Sequence, residues 1–272
     1  MGLRKYVQSL QSLRRRKSQR KNRRISQKQL RVIPKTIHYC WFGRNPLPPL
    51  AEKCIASWKK FLPEYEIVEW NEDNFPLDEF IFAKEALENR KFAFVSDVCR
   101  LYAMEKFGGI YMDTDVETLK SLDEFLHHSA FSGFENDDFV PTGIMASEKN
   151  GVWVRELLAY YDNKPFVNAD GSMETTSNTF IITQMMKQKG FGMTNTFQEI
   201  PGYVAFYPND YFCPKSYKTG KIELTKNSAC IHHFAKSWIP RSARWRNIAK
   251  MKVMNLVGDR PVQFVIDLIK RR

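Results

Sequence analysis

Short apolar runs alternate with longer segments of helical period along most of this chain, from residue 33 to residue 234. The short runs are rich in β-branched and aromatic residues, and the longer segments repeat apolar residues at helical spacing. Strands are predicted at residues 33–42, 65–70, 130–134, 143–147 and 229–234, and helices at residues 50–61, 76–87, 92–107, 152–161 and 175–187. This alternation predicts an α/β fold with a mostly parallel central sheet and flanking helices, whose ligands lie beyond the carboxyl ends of the strands.

Length and cysteine usage narrow the class of protein. With 272 residues, 43% of them hydrophobic, the chain can bury one large α/β domain, with or without extensions. Its five cysteines are odd in number and show no Cys-x-x-Cys spacing. That pattern argues against a disulfide framework or a zinc cluster. No apolar run is long enough to span a bilayer, and the first residues lack a signal-peptide core, so we expect a cytoplasmic location.

The positive charge of the chain is concentrated at its beginning. Residues 1–31 contain twelve Lys or Arg and no acid, which leaves 30 basic (42 − 12) and 30 acidic residues in the remainder. Apolar residues recur at helical spacing in the first part of this arm, so it is either a short amphipathic helix with a polybasic run or a disordered tail. The change in composition predicts a basic arm at 1–31, one domain at 32–239 and a basic helical extension at 240–272.

Two partners fit these basic ends. Residues 241–272 hold nine Lys or Arg against two acids, so both ends of the chain are suited to an anionic membrane surface. A nucleic acid is the alternative partner for the arm. The remainder is neutral and carries no RNA- or DNA-binding motif, so no dedicated nucleic-acid partner is expected.

An acidic pair is the main candidate for chemistry. A predicted strand follows Gly108 and Gly109 and ends at Asp113 and Asp115. Because side chains two apart on a strand point the same way, both carboxylates are predicted to face one point. Two such groups suit a hard divalent cation that is completed by substrate phosphates. Taken alone, an Asp-x-Asp triplet is more typical of a solvated surface turn.

The helix predicted at residues 92–107 leads directly into this segment. Asp97 and Arg100 are three positions apart and are therefore neighbours on the helix surface. One interpretation is an ordinary intrahelical ion pair. The other is a carboxylate and a guanidinium presented together to sugar hydroxyls and phosphate, since the planar guanidinium bonds two oxygens at once.

Four motifs in a fixed order give the chain a family resemblance. They are residues 33–43 (IPKTIHYCWFG), 96–100 (SDVCR), 108–115 (GGIYMDTD) and 231–238 (IHHFAKSW). Together they resemble glycosyltransferase family 32, the Asp-x-Asp sugar-transferase group that includes bacterial capsule and oligosaccharide enzymes. The core is also similar to that of the clostridial glucosylating toxins. The resemblance implies a GT-A-like nucleotide-sugar-binding fold and a Mn²⁺ or Mg²⁺ cofactor.

The resemblance also implies roles for single residues near the donor. Asp97 and Arg100 would contact the donor sugar and diphosphate, and Trp41 would stack on the donor base. Tyr111 would form part of the donor pocket, although packing is the stronger interpretation for its ring. Trp41 likewise fits a plain core position in the absence of the family match.

The metal ligands follow from the same resemblance. Asp115 is the direct ligand, and Asp113 contacts the ribose or acts on the metal through water. Adjacent residues on a strand point to opposite faces, so one histidine of the pair is expected to reach the metal. We choose His233, with Ser237 as a helper and Trp238 closing over the phosphates. Either histidine could instead be a core group or a phosphate donor.

These assignments predict a metal-dependent, retaining glycosyltransferase that uses a nucleotide-sugar donor, UDP-linked in preference to GDP-mannose. Charge on the leaving diphosphate would be stabilised by the cation, and the departing phosphate would help to deprotonate the acceptor during front-face attack. The acceptor is a saccharide in capsule or surface polysaccharide synthesis. Resemblance to capsule-type enzymes favours a lipid-linked saccharide and peripheral binding to the inner face of the membrane. A metal-dependent phosphohydrolase or nucleotidyltransferase is the alternative enzyme class.

Overall fold

A seven-stranded sheet runs through the part of the chain that the structure, a computed structural model, describes, namely residues 33–235. The strands are β1 Thr36–Cys40, β2 Glu66–Trp70, β3 Gly109–Met112, β4 Val116–Thr118, β5 Ala130–Gly133, β6 Ile144–Ser147, β7 Gln198–Ile200, β8 Val204–Tyr207 and β9 Cys230–His232. The α-helices are α1 Pro49–Phe61, α2 Ile81–Glu88, α3 Phe92–Phe107, α4 Val152–Ala159, α5 Asn178–Gln188 and α6 Asn209–Phe212. Short 3₁₀ helices cover Leu77–Glu79 and Asp123–Phe125.

The strand order of the large sheet is β2-β1-β3-β6-β5-β8-β7. β1, β2, β3, β5 and β8 point in one direction, and β6 and β7 point in the other. The predicted α/β class with a mostly parallel sheet is therefore confirmed. β4 follows β3 along the chain after a short turn. It pairs with β9 in a separate antiparallel two-stranded sheet.

Each face of the large sheet is covered by apolar side chains. On one face, Trp58 of α1 joins Ile110 and Met112 of β3 in a buried cluster. On the other face, α2 and α3 pack with Tyr111 in a second cluster. Successive residues of β3 thus alternate between the two layers, as the pleat of a strand requires. Helices on both faces were predicted, and the structure confirms them.

Two glycines allow α3 to turn back into β3. Gly108 and Gly109 both have positive φ, at 68° and 109°, which side chains with a Cβ rarely adopt. A Cβ on Gly109 would lie 2.6 Å from the carbonyl oxygen of Thr36. The neighbouring His38 is buried, donates from Nε2 to the Gly108 carbonyl at 2.8 Å and accepts at Nδ1 from Trp70 at 3.1 Å. Both ring nitrogens therefore have partners, and these bonds fix the turn against β1 and β2.

Several element boundaries differ from the prediction. The helix predicted at residues 76–87 is divided at Phe80, which is extended with φ −130° and separates the 3₁₀ turn Leu77–Glu79 from α2. Strands β4, β7 and β8 were not predicted. Their three or four residues are too few to show a period of two, and they are recognisable only by their hydrogen-bonded neighbours.

The predicted basic arm, residues 1–31, and the extension, residues 240–272, lie outside the described residues, so both boundaries stay predictions. Among residues 33–235, no helix combines the length and the apolar character that crossing a bilayer requires.

Candidate active site

The acidic pair lies in a tight turn between β3 and β4. The Val116 amide donates to the Asp113 carbonyl at 2.9 Å, and the Asp113 amide donates to the Gly143 carbonyl at 2.8 Å. Asp113 and Asp115 do converge, as predicted, but the reason given was wrong. They are brought together by the turn and by the return strand, because β3 already ends at Met112.

The structure corrects the choice within the histidine pair. His232, rather than His233, faces the acids: its Nε2 lies 3.5 Å from Asp115 Oδ1 and 3.9 Å from Asp113 Oδ2. His233 points the other way and bonds Glu117 Oε2 through Nε2 at 2.8 Å. Only one histidine of the two can face the acids, as the strand period required. Which one does so is decided by the register of β9 on β4, where His232 is opposite Val116.

These three side chains form a group suited to a cation. One ligand atom each from Asp113, Asp115 and His232 lies within 4.8 Å of the others. Ligand atoms around a small divalent cation with bonds of about 2.1 Å are roughly 3–4 Å apart, which matches the separations between His232 and the two acids. Two carboxylates with one imidazole suit Mn²⁺ and Mg²⁺ better than a softer, thiolate-seeking ion.

A close approach of the backbone also shapes this group. The wall beside the group has no room for a side chain, since a Cβ on Gly143 would lie 3.1 Å from both Asp113 Oδ2 and His232 Cε1. The backbone of Gly143 therefore approaches the acids as closely as their packing allows.

Asp115 and His232 each favour the charged form of the other. Burial alone would raise the pKa of the Asp115 carboxyl, but the facing His232 ring and the Ala235 amide, which donates at 2.6 Å, bring that pKa down to about 2. Burial alone would lower the pKa of His232, yet the Asp115 charge raises it well above its ordinary value. Without a cation His232 therefore holds a proton beside Asp115, and cation binding would release that proton.

A second charged group borders the acidic turn. Arg100, on α3, lies 3.1 Å from Asp97 Oδ1 and 3.5 Å from Asp113 Oδ1, so it links the helix pair to the acidic pair. Its guanidinium lies over the Tyr111 ring, 4.5 Å from the centroid, and the Tyr111 hydroxyl donates to Asp113 at 2.8 Å. Asp97, Arg100, Tyr111 and Asp113 thus form one contiguous network rather than a separate ion pair on the helix surface.

Asp97 is the most unusual carboxyl of this network. Its burial raises the pKa to about 6, although Arg100 and the Asn178 backbone amide favour the charged form. The Asn178 side chain, at the first residue of α5, donates to the Asp97 carbonyl at 3.4 Å and to the Tyr161 hydroxyl at 3.1 Å. Ser177, the residue before it, is the cap of α5 and accepts from the Phe180 amide. A cap and a network residue both place a polar side chain where a helix begins, so no sequence pattern distinguishes the two roles.

The remaining predicted residues are placed as follows. Trp41 follows β1 directly, is partly buried, and donates from its indole nitrogen to the Asn45 carbonyl at 2.6 Å. It lies at the carboxyl end of β1, next to the strand that leads into Asp113. Ser237 and Trp238 lie outside the described residues.

Known proteins that are similar to this chain include glycosyltransferases. A fission yeast protein, inositol phosphoceramide mannosyltransferase 3 of Schizosaccharomyces pombe, is 28% identical over 144 residues, half of this chain and 39% of the yeast protein. The chain therefore spans well under half the length of that relative. Similar solved structures include the PaToxG glycosyltransferase, with 17% identity, a TM-score of 0.45 and coverage of 58% of this chain and 70% of that one.

A second solved structure is a glycosyltransferase involved in glycosylation of the major capsid of PBCV-1, with 14% identity and a TM-score of 0.42. It covers 80% of this chain and 99% of its own. The family of capsular polysaccharide synthesis proteins matches residues 3–202, nearly three quarters of the chain and most of the described sheet. The predicted resemblance to sugar transferases of the capsule type is confirmed at this level. This chain is a member of the capsular polysaccharide synthesis protein family.

Proposed function

We propose that this protein is a metal-dependent, retaining glycosyltransferase of GT-A-like fold that moves a sugar from a nucleotide-sugar donor to a saccharide acceptor in capsule or surface polysaccharide synthesis. One observation carries the proposal. The Asp113, Asp115 and His232 group is continuous with the Arg100 network, so a cation site and a fixed guanidinium border the same turn. Such a pair of positive centres suits a diphosphate leaving group.

Asp113, Asp115 and His232 would hold the cation, which would supply charge neutralisation at the leaving diphosphate. Arg100 is well prepared to act beside it. Burial alone would lower the pKa of its guanidinium, but Tyr111 and the two acids raise that pKa above its ordinary value. A buried, permanently charged fork with fixed neighbours does not have to reorganise as negative charge develops.

Asp97 and Trp41 would orient the donor. Asp97 can accept hydrogen bonds from sugar hydroxyls when ionised and donate one when protonated, and its pKa of about 6 makes both forms accessible near neutrality. Trp41, at the carboxyl end of β1, would stack on the donor base. Retention of anomeric configuration is inferred from the family resemblance alone, with the departing phosphate accepting the acceptor's proton.

The donor and acceptor are proposed from the family resemblance and from the named relative. UDP-linked galactose, glucose or their N-acetyl forms are the first candidates, and GDP-mannose is the alternative, to which the mannosyltransferase relative adds weight. That relative's name also includes a ceramide, which agrees with a lipid-linked saccharide as the acceptor for this chain. Peripheral binding through residues 1–31 and 241–272 would bring the protein to such an acceptor at an anionic membrane surface.

A donor screen tests the proposal. The full chain would be incubated with each sugar nucleotide and Mn²⁺ or Mg²⁺, and donor hydrolysis and thermal stabilisation would be measured with and without chelator. A donor at about 100 times its Kd should add about 2.7 kcal/mol to the free energy of unfolding, only with the metal present. Metal-dependent hydrolysis of a simple phosphodiester, with no response to any sugar nucleotide, would instead identify a phosphohydrolase.

Product analysis tests the stereochemistry. After a donor has been found, NMR of the transferred or hydrolysed sugar should show the anomeric configuration of the donor. An inverted product would remove the retaining mechanism while leaving the transferase assignment in place.

A further inference from the structure

A lysine-rich hairpin projects from the chain just before the strand that completes the acidic site. In this hairpin, residues 214–226, Lys215 and Ile222 form an antiparallel bridge, and the Ser216 amide donates to the Lys221 carbonyl at 2.9 Å. Gly220, with φ 74°, closes the turn, and its amide donates to the Ser216 carbonyl at 2.7 Å. The lysine hairpin is thus a defined turn with its own backbone hydrogen bonds.

The hairpin presents apolar and basic side chains together. Tyr217, Ile222 and Leu224 are 44%, 42% and 57% exposed. The same segment has four lysines and one acid, Glu223, a net charge of +3 (4 − 1). Exposed apolar side chains that cluster in this way, with polar residues around them, are typical of interaction surfaces. Apolar tips among lysines are typical of segments that lie in a membrane interface.

The base of the hairpin is firmly held. Asp210, in α6, accepts hydrogen bonds from the Thr225 hydroxyl at 2.8 Å and from the Asn227 side chain at 2.9 Å. The Ser228 hydroxyl also donates to the Asp210 carbonyl at 2.8 Å. Because these bonds fix both the entry to β9 and the end of the hairpin, the exposed side chains have a set direction relative to the site.

The hairpin is directly connected to the acidic site. Lys215 Nζ donates to the His233 carbonyl at 2.7 Å. The Tyr217 ring packs edge-on against Phe234 at 5.2 Å, and Phe234 packs on His232 at 4.2 Å. A surface that binds the hairpin would therefore lie only two ring contacts away from the residues that would hold the cation.

We propose that the lysine hairpin is a membrane-contact element that places its Ile222 and Leu224 side chains in the interface of an anionic bilayer. Lys215 is held by the His233 carbonyl and Lys221 pairs with Glu223 at 2.6 Å, so Lys218 and Lys226 would lie among the lipid phosphates. This charge complementarity favours an anionic lipid surface over a neutral partner. This contact is separate from the basic arm and depends only on described residues. Its consequence for function, that a lipid-linked acceptor reaches the site along the bilayer, rests on the proposed transferase activity.

Vesicle partitioning of full-length variants tests the contact. Ile222→Ser combined with Leu224→Ser should weaken binding to phosphatidylglycerol-containing vesicles about 25-fold, since each half-exposed side chain contributes about fivefold when buried. Lys218→Ala combined with Lys226→Ala should give a loss of similar size at low salt. The apolar loss should persist at about 0.5 M salt, where the electrostatic contribution of the arm is screened.

A matched control uses exposed apolar residues of another face. Ile81 and Val152 are 48% and 40% exposed, on helices whose buried sides belong to the cluster on the opposite face of the sheet. Ile81→Ser combined with Val152→Ser should leave vesicle binding unchanged. An equal loss in this control and in the hairpin variant would show that the loss does not depend on the hairpin, and it would overturn the proposal.

A second measurement locates the contact. All five native cysteines are buried, so a single new cysteine can be labelled selectively with a polarity-sensitive dye. A dye at Leu224→Cys should shift to shorter wavelength on anionic vesicles, and a dye at Ile81→Cys should not. Vesicle binding without a shift at position 224 would overturn the proposal, as would a shift that needs only protein concentration, which would indicate a second copy as the partner.

The outcomes separate this inference from the proposed function. Hydrolysis of a water-soluble donor by Ile222→Ser combined with Leu224→Ser should be unchanged, because neither side chain belongs to the candidate site. Full donor hydrolysis with no vesicle contact would remove the membrane element alone. Vesicle contact without any sugar-nucleotide activity would remove the transferase assignment alone.

Discussion

The two ends of β3 each have a buried histidine nearby, but the two histidines are in opposite situations. At the amino end, His38 has partners for both ring nitrogens, a carbonyl and an indole. At the carboxyl end, His232 Nε2 faces two carboxylates, at 3.5 Å and 3.9 Å. Burial alone therefore does not distinguish a structural histidine from a candidate ligand. The groups that the ring nitrogens face do so.

The pKa shifts of the two histidines have opposite directions because their causes differ. Burial lowers the pKa of His38, which keeps it neutral. The Asp115 charge raises the pKa of His232 despite similar burial. The histidine near the amino end of β3 is therefore neutral. The histidine near its carboxyl end holds a proton that a cation could replace.

The largest effect on activity is expected at the carboxyl end of β3, where Asp115 and His232 lie. Asp115→Asn keeps the size of the side chain but removes the charge that a hard cation prefers and that pairs with His232. Donor turnover should fall by orders of magnitude while circular dichroism stays that of the native fold. Near-normal turnover in this variant, with and without chelator, would contradict the assignment of the site.

The histidine pair provides the sharpest matched comparison. His232→Ala should weaken Mn²⁺ binding roughly 100-fold or more, because it removes a ligand, and His233→Ala should stay within about tenfold, because it removes only a bond to Glu117. Calorimetric titration of Mn²⁺ into each full-length variant measures both values. A greater loss in His233→Ala would restore the original choice from the sequence.

A smaller effect is expected beside β1. Trp41→Ala should weaken donor-nucleotide binding by roughly 1–3 kcal/mol through lost stacking. Fluorescence or calorimetric titration with the free nucleotide diphosphate measures it, after circular dichroism has shown that the core is intact. Normal affinity in a folded variant would make Trp41 a packing residue only.

The smallest expected effect concerns His38, near the amino end of β3, and the pH dependence of stability. Because the folded-state pKa of His38 lies below its ordinary value of 6.5, the unfolded state takes up a proton first as the pH falls. His38 therefore supports stability above pH 6.5, and that support declines below it, by at most about 1.4 kcal/mol per pH unit. Urea unfolding in the presence of chelator should show a flatter decline for His38→Gln than for the native chain between about pH 6.5 and pH 5. Parallel curves would show that His38 is not held neutral.

The two ends of β3 also show which structural features can be predicted from the sequence. Helix α3 was predicted with its observed bounds, residues 92–107, because sixteen residues are long enough for a period to be recognised. The acidic pair and its Arg100 neighbour were predicted because they are close in the chain. The choice between His232 and His233 failed because it depends on the register of β9 on a strand, β4, that the pattern did not reveal.

Long-range partners explain the remaining differences. Asn178 reaches Asp97 across 81 positions, and nothing in the spacing of the chain relates the two. The convergence of Asp113 and Asp115 was predicted, but its cause was wrong, since a turn replaces the strand at these residues. Functional side chains that are close along the chain can thus be recognised from the sequence. A site that is assembled from distant segments requires the three-dimensional structure.

The pairing of β4 with β9 has a consequence for how the protein is made. The Ala235 amide that bonds Asp115 is 120 positions further along the chain, beyond every strand of the large sheet. Domains can begin to fold during synthesis, so we expect the sheet to form while the acidic turn still lacks its histidine. Closing so long a loop costs little extra free energy, but the contact is made late. In a nascent chain, the proposed cation site would therefore be completed only after the sheet that carries it has formed.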